Sequence, residues 1–151
     1  MRAKKTAESS GFSLIELLIV VAIVLILASI AVPNLLRARR SANEASAVGS
    51  LRAIASGQLV YRHTEGNFTT LAGLANESII DDILASGSKS GYTFASDPGF
   101  MPDLEFTAQA SPAVSSGVMA TGTRFFFVSQ DQVIRAKRGA AADSTSNPLQ
   151  D

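Results

Sequence analysis

Glu16 is an unusual residue, because this acid lies just inside a long apolar run with the sequence SLIELLIVVAIVLILASIAV. A carboxylate at the centre of a membrane-spanning helix costs about 2.5–3.5 kcal/mol, and less near one end. The neighbouring sequence offers no cation, since no Lys or Arg lies one helical turn away. Glu16 could simply mark the start of the span, but an acid in this setting favours a functional site whose partner comes from elsewhere.

Residue types that carry out catalysis are scarce. The chain has no Cys and a single His, His63, which excludes thiolate zinc sites, iron–sulfur clusters, thiol nucleophiles and disulfides. No nucleophile, base and orienting residue can be named at a useful spacing. Asp131, Asp143 and Asp151 are too scattered to support a calcium site. We therefore expect no enzyme activity, no cofactor and no metal, and a mechanical or adhesive function.

Length and charge set further limits. At 151 residues the chain has room for one core and not for separate cofactor and substrate lobes. Thirteen Lys and Arg balance thirteen Asp and Glu, so the overall charge does not support nucleic-acid binding. A local cluster of Arg37, Arg39 and Arg40 is better explained by contact with lipid headgroups at a membrane surface.

The element that carries Glu16 is expected to be a membrane-spanning helix. Residues 17–36 are 20 consecutive uncharged residues, and a helix of that length covers roughly the 30 Å hydrocarbon core of a bilayer. Many of these residues are β-branched and would suit a strand in water. A strand exposed to lipid would leave its backbone polar groups unpaired, so we predict a helix.

A secretory signal peptide is the competing interpretation of the same segment. Basic residues precede the apolar run, and Ser29-Ile30-Ala31 offers a small-x-small site for cleavage before Val32. The apolar region of a typical signal peptide has about 7–15 residues and no acid, whereas this one is longer and contains Glu16. We favour the retained span and keep a secreted soluble binding domain, cut after Ala31, as the weaker alternative.

The start of the apolar run carries a family resemblance. A short basic leader, MRAKKTAESSG, is followed by Phe12, by an acid five residues into the remaining chain, by the apolar run and by Ala-Val-Pro-Asn at 31–34. This combination resembles the processing motif of type IV prepilins and the related pseudopilins. The resemblance implies that a prepilin peptidase cuts between Gly11 and Phe12 on the cytoplasmic side and methylates the new α-amino group of Phe12.

The chemistry of such a cut is consistent with the residues. Gly11 has no side chain, so the peptide can enter a narrow protease site without a Cβ clash. Cutting leaves a cation at Phe12, and that cation and the Glu16 carboxylate are each unstable in a low-dielectric bundle until they are paired. The family resemblance implies that Glu16 of an incoming subunit meets the Phe12 amine of its neighbour and so sets the register of subunit assembly.

The chain is expected to divide into four segments. They are a leader peptide (1–11), a hydrophobic transmembrane and filament-core helix (12–36), an amphipathic helix (37–63) and a globular head with a C-terminal tail (64–151). Pro33 removes a backbone donor, so we predict a kink there, after which the resemblance to pilins implies that the helix resumes. In the amphipathic helix, an apolar stripe is predicted to face the head and consists of Ala45, Val48, Leu51, Ala55 and Leu59.

The fold class predicted is α+β, with the long N-terminal helix packed against a small antiparallel sheet. The 88 residues of the head are too few to bury a large core alone, so the helix should form one wall. A short helix is predicted over Glu77–Ala85 and a mobile or surface-lying tail from Gly139. The predicted strands are Tyr92–Ala95, Leu104–Ala110, Arg124–Val128 and Gln132–Ala136, the last two joined by a tight turn at Ser129-Gln130-Asp131.

The function that follows is that of a major pilin. We expect a single-pass inner-membrane protein that assembles, through the pilus assembly machinery, into a homo-oligomeric helical filament at the cell surface. A filament rather than a ring requires a heterologous contact that does not close. The alternative within the family is a major pseudopilin of a type II secretion system.

Overall fold

A computed structural model describes residues 11–149. The predicted leader, Gly11 excepted, and Asp151 lie outside this range. Within these described residues, three helices precede six strands. They are α1 (Leu14–Glu65), α2 (Leu71–Asn76), α3 (Asp82–Ala85), β1 (Ser88–Lys89), β2 (Tyr92–Asp97), β3 (Thr107–Pro112), β4 (Arg124–Ser129), β5 (Arg135–Arg138) and β6 (Asn147–Pro148).

The strands form one antiparallel meander in which each strand pairs with the next along the chain. Phe126 of β4 lies opposite Ala110 on one side and Ala136 on the other, and Phe94 of β2 also lies opposite Ala110. Large rings therefore alternate with methyl groups across neighbouring strands. This arrangement lets the rings pack between strands without crowding each other.

The chain divides into two compact units between Leu35 and Leu36. The described part of the first unit is the start of α1, and its apolar side chains are exposed along their length. Helix α1 is assigned without interruption through Pro33. The predicted kink at this residue stays a prediction.

The second unit contains the hydrophobic core. One face of α1 contributes Leu51, Ile54 and Ala55, all almost fully buried. They pack with α2, α3, the sheet and the adjoining loops. The buried side chains of these parts include Phe68, Leu74, Leu84, Tyr92, Phe94, Phe106, Phe126 and Val128. The predicted α+β class, with a long apolar N-terminal helix and an antiparallel sheet, is confirmed. Phe94, Phe106 and Phe126 are all buried in this core.

The buried face of α1 differs from the predicted stripe. Ala45 and Leu59 are exposed, whereas Glu44, Ala47 and Gln58 are buried. At about 100° per residue, the true face is rotated from the predicted one by roughly a quarter of a turn. The prediction counted only apolar residues, but this face also contains two polar residues, Glu44 and Gln58, that have hydrogen-bond partners in the head.

The short helix predicted near Glu77–Ala85 is confirmed over its last four residues, as α3, but not before Asp82. The structure has α2 ending at Asn76 and the four-residue α3 beginning at Asp82, with a turn between them. Thr70 and Asp81 mark the two helix starts, because each side chain accepts a hydrogen bond from a backbone N–H three residues later. Both N-caps are local sequence signals of a helix start, and the prediction from an apolar face did not include them.

Two strand starts differ from prediction, whereas the tail follows the surface-lying alternative. Strand β3 begins at Thr107 and not at Leu104, because the Leu104 and Glu105 N–H groups both donate to the Met101 carbonyl in a turn. The β4–β5 ladder begins with Phe127 opposite Arg135, so the connecting loop is wider than the predicted three-residue turn. The tail lies on the molecule and adds β6 to the sheet edge.

Candidate assembly site and the polar seam

The N-terminal turn of α1 contains Glu16, one of the two predicted assembly residues. Ser13 directly precedes the first helical residue, and Glu16 is the third residue of the helix. The Ser13 N–H donates to Glu16 Oε2 at 2.9 Å, while Leu17 N–H donates to the Ser13 carbonyl at 3.2 Å. This is one half of a capping box, in which a Glu side chain satisfies a backbone donor that the helix itself leaves unpaired.

This contact differs from the charged partner that the sequence analysis predicts for Glu16, because the donor is a neutral backbone N–H. The signal was present as Ser13-Leu14-Ile15-Glu16, the Ser-x-x-Glu pattern of a helix start. A neutral N–H orients the carboxylate but does not cancel its charge. The first helical turn also favours an anion, because the positive end of the helix dipole lies there. The Glu16 carboxyl group is therefore oriented by the Ser13 N–H, and its remaining acceptor sites are open to a further donor.

Gly11 and Phe12 precede this turn and are exposed. A methyl group built on Gly11 would meet nothing within 4 Å in the described structure. Phe12 has 78% of its surface exposed. These two residues are close to Glu16 in the sequence and are accessible in the structure. Cleavage, methylation and charge pairing stay predictions.

The apolar part of α1 lacks cover within the described structure. None of its most apolar 18-residue window is buried, and by length and composition α1 is the one described helix able to cross a membrane. A signal sequence near an N-terminus would meet the same length and composition criteria. What distinguishes this helix is the charged and capped turn at its start.

A polar seam, formed by Arg40, Asn43 and Glu44 of α1, ties the helix to the loop between β3 and β4. The Arg40 guanidinium donates to the carbonyl oxygens of Gly117 (2.9 Å), Val118 (2.6 Å) and Ala120 (3.1 Å). The Asn43 side-chain amide donates to the Thr121 carbonyl at 2.9 Å. The headgroup contact expected for the arginine cluster is therefore replaced, at Arg40, by contacts inside the head.

Glu44 completes the seam as a largely buried acid. Its Oε1 accepts bonds from the Thr123 N–H (2.9 Å), the Thr123 hydroxyl (3.1 Å) and the Arg124 N–H (3.3 Å), while Oε2 pairs with Arg124 Nε at 2.7 Å. Burial opposes ionisation, but the hydrogen bonds and the guanidinium outweigh it and hold the pKa of Glu44 below its usual value. Tyr92 adds a bond from its hydroxyl to the Arg124 carbonyl at 2.8 Å.

Gln58 fixes the other end of the buried face. Its Oε1 accepts the Thr69 N–H at 3.0 Å, and its Nε2 donates to the Thr69 carbonyl and to the Ser96 hydroxyl, the latter at 2.9 Å. Because the side chain is fully buried, each of these bonds satisfies a group that would be costly to leave unpaired. The helix is thus bound to the head by specific polar contacts near both ends of its buried face.

Comparison with known proteins bears on the N-terminal turn. The family described as the prokaryotic N-terminal methylation motif matches residues 7–32, which include Gly11, Phe12 and Glu16. The chain carries this N-terminal methylation motif. The matched stretch is the same one whose spacing resembles the prepilin processing site.

Two curated proteins extend the similarity into the head. The type IV wide pilus major component PilA4 of Thermus thermophilus is 42% identical over 88 residues, 58% of this chain and 63% of that protein. The type II secretion system core protein G of Escherichia coli is 30% identical over 96 residues, 61% of this chain and 65% of that protein. The resemblance to pilins and pseudopilins is confirmed, and the chain spans slightly less than two thirds of either relative.

Other candidate residues of this pilin-like chain lie apart from the N-terminal turn. His63 is exposed in the last turn of α1. Among residues 11–149, no three His, Asp or Glu side chains are grouped closely enough to hold a metal ion. Asp131 and Asp143 instead organise their own loops, by accepting bonds from the Val133 and Thr145 N–H groups respectively.

Proposed function

We propose that this chain is the major structural subunit of a type IV pilus. It is held in the inner membrane as a single-pass protein, cut between Gly11 and Phe12 by a prepilin peptidase, methylated at Phe12 and assembled into a helical surface filament. The segments 1–11, 12–36, 37–63 and 64–151 serve as leader, span and filament core, amphipathic helix and head. The role is structural and not enzymatic.

The observation that carries the proposal is the contrast between an uncovered apolar helix and its charged, capped first turn. Helix α1 leaves its most apolar window wholly exposed, so that surface needs a bilayer or other copies to cover it. In a bundle of such helices, the Glu16 carboxylate would be stable only beside a cation. The methylated amine of Phe12 in a neighbouring subunit supplies one without any additional partner.

The capped conformation of Glu16 gives this pairing a defined starting geometry. The bond from Ser13 holds the carboxylate against the end of the helix before a neighbour arrives. One acid and one amine per subunit, repeated along a fibre, fix the axial register between copies. The contact is heterologous, since the acid of one copy meets the amine of the next, and therefore builds a filament.

Three variants in a strain deleted for the native gene separate charge pairing from helix capping. Glu16→Ala removes both the charge and the hydrogen-bond acceptor. Glu16→Gln keeps an acceptor without the charge. Ser13→Ala removes only the hydroxyl group and keeps the backbone N–H that donates to Glu16. We expect membrane insertion and cleavage in all three, and few sheared surface filaments from either Glu16 variant, measured by electron microscopy and immunoblot. Normal filaments from Glu16→Gln would show that capping, not charge, is the function of this acid.

The cleavage assignment has its own test at Gly11. Gly11→Val adds a branched side chain where the structure has open space, so the described fold should be unchanged. We expect the uncut precursor to accumulate in the membrane because the side chain obstructs the peptidase site. Normal maturation of this variant would reject the assignment.

A major pseudopilin of a type II secretion system is the second candidate function. It is supported by the similarity to the Escherichia coli core protein G. The two functions differ in where the fibre is found. Long fibres recovered by shearing the cell surface favour the pilus, while short fibres confined to the periplasm, with loss of secretion on deletion, favour the pseudopilus.

A further inference from the structure

The loop between β3 and β4 presents apolar side chains at one end of the head. Its segment Gly117–Ala120 is here called the clamped loop, because Arg40 holds three of its four carbonyl oxygens. These bonds tie the backbone to α1. Val118 and Met119 nevertheless leave 71% and 74% of their surfaces exposed. The loop is thus anchored by its backbone and displays two large apolar groups outward.

The position of the clamped loop along α1 is defined by its neighbours. Met119 lines a recess of about 430 Å³ together with Leu36 and Arg39. Leu36 is also the last residue of the uncharged 17–36 run. If that run crosses a bilayer, residues beside Leu36 lie at the membrane surface. The clamped loop is attached to this end of the head and not to the end near the C-terminus of α1.

Charge around the clamped loop complements an anionic bilayer. Arg37 and Arg39 are exposed on the first turn of α1 beyond the uncharged run. Cations near an anionic membrane surface are attracted to its headgroups. Exposed apolar side chains flanked by cations are the combination that binds the interface between headgroups and acyl chains.

We propose that the clamped loop is a membrane-contacting foot, which inserts Val118 and Met119 into the headgroup region of an anionic bilayer while the subunit awaits assembly. The proposal rests on the membrane-anchored state in the proposed function. The foot gives the head its own attachment to the bilayer, with Arg40 holding the loop and Arg37 and Arg39 binding lipid phosphates. Extraction into a filament then requires the foot to leave the bilayer.

A matched control exists at the opposite end of the head. Phe100 is 96% exposed, and its loop lies near Phe68, since the Pro102 carbonyl accepts the Phe68 N–H and Arg62 lies over the Phe68 ring. Arg40 and Arg62 are 22 residues apart on α1, which is about 33 Å along a helix. An exposed apolar residue at Phe100 is therefore too far from the membrane surface to insert if the foot does.

The experiment uses the natural absence of Cys in the full chain. Single-cysteine variants Met119→Cys, Phe100→Cys and Leu25→Cys are labelled with a small fluorophore. Each is reconstituted in vesicles of phosphatidylethanolamine and phosphatidylglycerol that contain nitroxide-labelled lipid. We expect several-fold stronger quenching at Met119→Cys than at Phe100→Cys, and strong quenching at Leu25→Cys, which reports the span. Replacing phosphatidylglycerol with phosphatidylcholine should reduce quenching at Met119→Cys alone.

The two ways of failing are distinct. Quenching at Leu25→Cys with equal, weak signals at Met119→Cys and Phe100→Cys would overturn the foot and leave the span intact. No quenching at Leu25→Cys would overturn the span and the foot together. A label at Met119→Cys that is protected only in filaments would instead show that the clamped loop is a contact between subunits.

Variants of Arg40 test whether membrane contact by the clamped loop depends on the hydrogen bonds that hold it. In the Met119→Cys background, Arg40→Gln removes the clamp, while Arg39→Gln removes one exposed cation and leaves the clamp. If the clamp presents the foot, Arg40→Gln should lower the quenching more than Arg39→Gln does. Equal quenching in the two variants and in the parent would contradict the clamp's role.

Discussion

The two parts of helix α1 differ in how their apolar surfaces are covered. Before Leu36 the helix exposes its apolar side chains all round, and none of its most apolar window is buried. Beyond Leu36, one face is buried against the head and includes Glu44 and Gln58, which are hydrogen-bonded. The first part lacks partners inside the described chain, and the second part has specific ones.

This difference shows where the stability of each part comes from. The head and the second part of α1 form a core that depends on packing and on buried polar bonds. The first part gains nothing from that core, so its burial must come from lipid or from other copies. Substitutions in the first part should affect insertion and assembly, whereas substitutions in the second part should affect folding.

The largest expected effect contrasts two leucines on one helix. Leu51 is fully buried, and Leu51→Ala should lower the free energy of unfolding by about 2–5 kcal/mol. Leu25 is exposed, and Leu25→Ala should change it by less than about 0.5 kcal/mol. Urea unfolding of the full chain in mild detergent, followed by near-ultraviolet circular dichroism, measures both. Similar losses would show that the first part folds as one unit with the head.

The next effect concerns the buried ion pair of the seam. Glu44→Gln should destabilise the head by about 1.5–3 kcal/mol, because the bonds from Thr123 and Arg124 lose their charged acceptor. The exposed Glu65→Gln, on the same helix, is the matched control and should be nearly neutral. Urea midpoints at neutral pH give the comparison, and equal effects at the two positions would contradict the importance of the pair.

The same acid should give a pH signature. The pKa of Glu44 in the folded chain lies below its ordinary value of 4.5, so its contribution is complete above that pH. As the pH falls from 4.5 through the lower folded pKa, this stabilisation is lost. The difference in unfolding free energy between the parent and Glu44→Gln should therefore shrink in that acidic range. A difference that grows on acidification would reverse the assigned direction.

A smaller effect is expected from the hydroxyl of Tyr92. Its ring is fully buried, and its hydroxyl donates to the Arg124 carbonyl at 2.8 Å. Tyr92→Phe should cost about 1 kcal/mol, since it leaves this carbonyl without one of its donors and keeps the ring packing. The half-buried Tyr61→Phe provides a comparison on α1. No change in the urea midpoint of Tyr92→Phe would remove this bond from the account of the seam.

The smallest effect separates two glycines on different faces of α1. A methyl group at Gly49 meets nothing within 4 Å, so Gly49→Ala should stabilise the subunit by about 0.5–1 kcal/mol. At Gly57 the same methyl group would lie 2.9 Å from Ile79 Cγ2, so Gly57→Ala should bring no gain or a loss. Equal stabilisation by the two variants would show that the Gly57 face is less tightly packed than the structure indicates.

The start of the chain and the fold class were predictable because their signals are local or large. Twenty uncharged residues define the apolar helix, and the GFSLIEL stretch at 11–17 defines the candidate site. The bond between Ser13 and Glu16 also has a local signal, the Ser-x-x-Glu pattern of a helix start, although the sequence analysis does not predict it. Strands rich in Phe and Tyr were located to within a few residues.

What could not be predicted depends on contacts between distant residues. The rotated face of α1 depends on Glu44 and Gln58 finding partners 11 to 80 residues away. The hydrogen bonds from Arg40 require the β3–β4 loop to return to the helix, and no sequence pattern near Arg40 predicts this contact. In each case the partner of the polar residue lies on another segment of the chain, which local sequence patterns do not identify.

The most direct test of the central claim is the intact mass and N-terminal sequence of the protein from sheared surface filaments and, separately, from membranes. Our account predicts a mature chain that begins at Phe12 and carries one added methyl group in both fractions. The apolar helix and Glu16 would then be retained in the filament. A chain that begins at Val32 would contradict the account, because the apolar helix and its charged first turn would have been removed.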